Sequence, residues 1–139
     1  MNTLNWRAIG IGVSVGIGGS LLLNVLFHLF PFDGEKHPIW AILAISYAAG
    51  ALIDIAVGAT TGWLARRRGA SHGFVAGLIT SLISPLLGYL MVLMRERGEV
   101  PFALMPYLYA LLPGTVVGMV LATIAGAIAA HFAVKQVPG

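Results

Sequence analysis

Four apolar runs, each at least about 20 residues long, decide what this chain can fold into. A helix needs that length to cross the hydrocarbon of a bilayer at 1.5 Å rise per residue. The runs fall at Ala8–Phe30, Ile39–Ala65, His72–Met94 and Phe102–Val134. Of the 139 residues, 58% are hydrophobic and 9% are charged. A soluble domain of this size leaves too much of its area in water to hide so much apolar surface. The expected fold is therefore all-α, a single transmembrane domain over residues 1–139 built as an integral membrane four-helix bundle. The first run exceeds a signal-peptide core, and "HLFPFDGEKHP" holds no small-x-small cleavage site, so it reads as a retained helix.

Charge in the connectors sets an orientation. The start of the chain, the "ARRRGASHG" turn and the end carry Arg7, Arg66, Arg67, Arg68 and Lys135 with no acidic residue. The other two connectors mix Lys36, Arg95 and Arg97 with Asp33, Glu35, Glu96 and Glu99. The positive-inside rule places both ends and the arginine turn in the cytoplasm. Trp6 and Trp63 then mark one headgroup level, and Phe30, Phe32, Trp40, Phe102, Tyr107 and Tyr109 the other. The net charge of +3 includes the three-arginine run, which reads as a topology anchor able to attract anionic lipid headgroups and not as a nucleic-acid footprint.

Turn residues define the helix ends. Gly69 is suited to a left-handed cap after the second helix, and Ser71 to capping the third, which makes helices two and three an antiparallel hairpin. Pro106 and Pro113 disfavour regular helix early in the last run. "VPFALMPYLYALL" is accordingly an interfacial or kinked lead-in to a span from Pro113 to Val134.

Read at every fourth residue, each run shows a stripe of small residues on one face. The first gives Gly12, Gly16, Ser20, Asn24, His28, and the third Gly73, Gly77, Ser81, Pro85, Tyr89. The second gives Gly50, Asp54, Gly58, Gly62, and the fourth Gly114, Gly118, Ala122, Gly126, Ala130. The stripes match at offsets of 61 residues for runs one and three and 64 for runs two and four. That pattern suggests two tandem hairpins related by a pseudo-twofold along the membrane normal. In lipid, helices associate by close packing, so the glycines are candidate packing positions and the bundle should enclose little space.

Asp54 interrupts one of these stripes, 14 residues after Trp40 and nine before Trp63, near mid-membrane. An aspartate there costs about 2.5–3.5 kcal/mol on insertion scales, so it should face the bundle. Arg66 is about 18 Å away along the helix, and the residues expected at its depth are the neutral Ser14, Ser81, Ser84 and Thr123. Two uses are open. It can be the carboxyl of a proton- or cation-coupled transporter or channel, or an uncharged acid hydrogen-bonded to a serine or to a partner subunit.

Other polar residues carry less. His28 and His131 fall at opposite membrane faces, so they cannot be the two axial ligands of one haem within a chain. Asp33, Glu35 and His37 fall together in one outer loop, and three such residues in a loop are weak grounds for a metal site. His72 follows the cap Ser71, and Asn24 can bond across helices. With no cysteine, no phosphate loop and no convergent nucleophile–base–acid set, neither metal, cofactor nor enzyme is expected.

The stretch "VGATTGWLARRRGASHGFVAGLITSLIS", residues 57 to 84, resembles the centre of a group of small prokaryotic four-helix, glycine-rich membrane proteins of unknown function. Gly62, Ala65, Arg66, Arg67, Gly69 and Gly73 carry the likeness, with "WRAIG" at Trp6 to Gly10. The resemblance implies a topology and no activity. The chain lacks the first-span glutamate of small multidrug transporters and the asparagine-rich signatures of small fluoride channels. The leading expectation is a non-enzymatic packing or accessory subunit of the bilayer, associating through its small-residue faces with itself or with a larger membrane complex. The alternative is a homo-oligomeric transporter or channel that works through Asp54.

Overall fold

The computed structural model describes residues 4–29, 38–95 and 104–135. These form α1 (Trp6–Leu29), α2 (Ile39–Ala65), α3 (Gly69–Arg95) and α4 (Leu104–Lys135), with no strand among the described residues. All four helices are long and apolar enough to cross a membrane. The protein is an all-α four-helix bundle. The loop residues Asp33, Glu35 and His37 and the aromatic residues Phe30, Phe32 and Phe102 lie outside the described residues.

Local chemistry sets the helix ends. Asn5 caps α1, its side-chain oxygen accepting from the Ala8 N–H at 3.2 Å. Pro38 precedes α2 with extended backbone, and its carbonyl accepts from the Ala41 N–H at 2.9 Å. α4 runs unbroken from Leu104, so the expected lead-in is helical from Leu104 on, its first four residues lying outside the described ones. Pro106 stands in the first turn, where a helix needs no N–H, and Pro113 is carried inside.

The α2–α3 turn differs from expectation. The left-handed half of backbone space is occupied by Arg66 (φ 56) and Arg68 (φ 54), not by Gly69. The Arg67 N–H donates to the Ala65 carbonyl at 2.6 Å across Arg66, which is a γ-turn of the rare positive-φ kind. Gly69 is instead the first residue of α3, and its lack of a side chain serves contact with α4. A Cβ there would run into the Gly126 carbonyl oxygen. Ser71 lies within the helix.

Two kinds of packing hold the bundle. Where α1 meets α2 and α3, side chains interlock: Ile9, Val57 and Ala76 are buried, with Leu4, Val13, Ile53, Val75 and Ile79 around them. Gly12 lies against Thr61, and Gly16 against Thr80 and Val57. Where α4 meets α2 and α3, backbones touch. A Cβ on Gly58 or Gly73 would strike the Ala122 carbonyl oxygen, and one on Gly62 would strike that of Gly126. Gly77 is closed in by the Ala122 side chain, which its Cβ would meet at 2.7 Å.

The pairing is in register. Asp54 lies against Gly118, Gly58 against Ala122 and Gly62 against Gly126; across α1 and α3, Gly16 lies against Thr80 and Ser20 bonds Ser84. Each of these pairs is 64 residues apart. A pseudo-twofold would carry this further, making α1–α4 the mirror of α2–α3. That edge is missing: among the described residues α1 touches α2 and α3 but not α4. The glycine face of α4 seats in the α2–α3 groove and draws it away from α1.

One buried residue joins the ends of α1 and α3. The His72 ring is 3% exposed, and its Nε2 accepts the Asn5 N–H at 2.7 Å. Because Asn5 can only donate and the Arg68 carbonyl, 2.8 Å from Nδ1, can only accept, the proton of the ring sits on Nδ1.

Candidate functional site

Beyond Gly58 the α2–α4 seam opens. Gly50 and Gly114 were expected to pack, yet a Cβ on either would meet nothing within 4 Å. The structure therefore assigns them a different place, at the edge of a cavity of about 230 Å³. Its polar lining comes from Ser20 and Asn24 on α1, Asp54 on α2, Thr80, Ser81 and Ser84 on α3, and Thr115 on α4. In this half of the bundle the helices leave a half-open space, and neither glycine is closed over by a neighbouring helix.

Asp54 is half-buried and makes no hydrogen bond or ion pair with any other described residue. A Cβ on Gly118 would meet its Oδ2 at 2.9 Å and would also strike the Ser81 hydroxyl, so both side chains converge on that bare stretch of α4. The hydroxyls of Thr80 and Thr115 are buried without a hydrogen-bond partner, and Thr80 is only 2% exposed. An orphaned buried hydroxyl costs about 1–3 kcal/mol, which the fold tolerates at two neighbouring places here. Pro85, also on the wall, has no N–H to give the Ser81 carbonyl four residues earlier.

Of the residues expected at the depth of Asp54, Ser81 and Ser84 reach the cavity. Ser84 accepts there from the Ser20 hydroxyl at 2.9 Å. Thr123 and Ser14 do not: each returns its hydroxyl to its own helix, to the Met119 carbonyl at 2.6 Å and the Gly10 carbonyl at 2.9 Å. Asn24 bonds the Ser20 carbonyl at 2.8 Å, within α1 and not across helices. Thr80 and Thr115 were missed from the sequence, since a threonine one residue off a small stripe carries no mark of its own. Ser20 and Asn24 had a signal, lying on the first stripe where the sequence offset equates them with Ser81 and Pro85 on the third.

At the other end, Arg66 and Arg68 line a groove with His131 and Lys135 beside the start of α3, while Arg67 is exposed outside it. His28 is exposed at the opposite end of the bundle, and the two histidines are not brought together. Among the described residues no three of histidine, cysteine, aspartate or glutamate gather as a metal site.

The cavity thus offers one carboxyl, serine hydroxyls and a side-chain amide. Oxygen donors of this kind replace the water of a hard cation, and a single carboxylate balances a single positive charge. No family model, curated protein or solved structure matches the chain.

Proposed function

We propose that this chain is a small ion- or proton-coupled membrane transporter or channel, acting as a homo-oligomer in a prokaryotic cytoplasmic membrane, with Asp54 as the coupling group. Both ends and the Arg66–Arg68 turn face the cytoplasm in this reading, following the asymmetry of basic residues. The observation that carries it is Asp54 without a described partner on the wall of a cavity that Ser81 and Ser84 also line. A carboxyl kept only for structure would be expected to hydrogen-bond a neighbouring serine. Intramembrane acids that face a cavity mark ion or proton pathways.

The test is Asp54→Asn in proteoliposomes. Ion- or pH-gradient-driven flux falls to the protein-free background, while native mass spectrometry finds the same assembly as the wild type. Flux at the wild-type rate in Asp54→Asn overturns the reading.

A second reading, an accessory subunit in a larger membrane complex, has its own support. The glycines of α2, α3 and α4 near the arginine turn are used up inside the bundle. α1 nevertheless shows a second small face, with Gly10, Ser14 and Gly18 exposed and nothing within 4 Å of either glycine. Close helix association in lipid uses such faces. Co-purification with other subunits by native mass spectrometry would favour that role.

A further inference from the structure

Asp54 lies on two cavities at once. Besides the half-open chamber that Ser81 and Ser84 line, it borders a groove of about 460 Å³ between α2 and α4, lined by Tyr47, Ala48, Ala51, Pro113 and Val117 among others. Three residues are common to the two linings: Gly50, Asp54 and Gly114. Tyr47, Ala48, Pro113 and Val117 are exposed, so the groove runs along the outer, lipid-facing surface of the bundle. The wall between groove and chamber is therefore made of two glycines and one carboxyl. At both glycines a side chain would meet open space.

The geometry points to a lateral window at Gly50 and Gly114 through which an amphiphilic organic cation reaches Asp54 from the bilayer. This rests on the reading of Asp54 as a cation site and names the substrate class. The positive head faces the Asp54 carboxyl, with Ser81 and Ser84 on the same wall. The hydrocarbon tail stays in the apolar groove. A bare inorganic ion has no use for that groove. An anionic amphiphile would set its charge against the one carboxyl of the site. Larger side chains at 50 and 114 would pack equally well against lipid and would close the opening.

The experiment measures equilibrium binding of two radiolabelled probes, tetramethylammonium and dodecyltrimethylammonium, to the protein in lipid nanodiscs. Protein-free discs are subtracted. Comparing variants in the same discs cancels the partition of the longer probe into lipid. Both probes bind the wild type saturably, and Asp54→Asn removes both. Gly114→Leu weakens dodecyltrimethylammonium at least about tenfold more than tetramethylammonium, because at equilibrium the tail of the longer probe must lie in the window that the leucine fills, whereas bound tetramethylammonium does not occupy it. Gly50→Leu does the same from the facing helix and serves if the first variant fails to fold. Gly18→Leu, on the outer face of α1, leaves the ratio of the two affinities at its wild-type value. The window is overturned if tetramethylammonium binds through Asp54 while both leucine variants keep that ratio. If neither probe shows Asp54-dependent binding, the cation-site reading itself falls.

Discussion

The α2–α4 seam uses the same residue type in two opposite ways. Toward the arginine turn, Gly58 and Gly62 let one helix lie on the carbonyl oxygens of the other at Ala122 and Gly126. Eight residues back along each helix, Gly50 and Gly114 have open space beside them and border two cavities. The first pair brings backbones together; the second keeps side chains out. The difference teaches that a small-residue stripe does not by itself decide whether a helix seam closes or opens. Asp54 and Gly118 stand at the change from one regime to the other.

The comparison can be broken at several strengths. Gly58→Leu forces Cγ and Cδ atoms into the α4 backbone, a worse case than ordinary core overpacking. It should cost at least about 3 kcal/mol and remove the cooperative thermal transition and the single size-exclusion peak. Gly114→Leu should stay within about 0.5 kcal/mol of the wild type by the same measurements. Equal damage from the two would mean that the halves do not differ. His72→Phe sharpens the picture of the closed end. Losing both ring hydrogen bonds should cost about 1–3 kcal/mol and expose the Asn5 amide to rapid hydrogen exchange. An Asn5 amide as protected as in the wild type would remove His72 as the tie between α1 and α3. The smallest effect belongs to the open half. Thr80→Val deletes an unpartnered hydroxyl and should change stability by less than about 1 kcal/mol, toward the more stable side. Marked destabilisation would show that Thr80 has a partner after all.

Much of the architecture was legible in the sequence. The second span, expected at Ile39–Ala65, has those bounds in the structure, and the other three shift by no more than a few residues at either end. Apolar length is a robust signal because lipid admits few alternatives to a continuous helix. The 64-residue offset between the second and fourth stripes also had physical content, since the positions it equates lie against one another across the seam. The site was less legible. Gly50 and Gly58 look alike in sequence, and their difference depends on how far apart α2 and α4 lie at each level. That separation is a property of the assembled bundle. Thr123 was expected near Asp54 by depth alone, but a threonine in a helix can satisfy itself on the carbonyl four residues back. Thr80 sits at the cavity without that bond. The turn misled for a related reason: glycine is the default for a left-handed residue, yet Gly69 was needed for its close approach to Gly126.

The γ-turn at Arg66 has an electrical consequence. It reverses the chain so abruptly that three guanidinium groups occupy consecutive positions at one end of the α2–α3 hairpin. Moving one elementary charge through a membrane potential of 100 mV involves about 2.3 kcal/mol, so three together amount to about 7 kcal/mol. An energised membrane therefore holds this hairpin in one sense: with the turn on the negative side, the field itself opposes inversion.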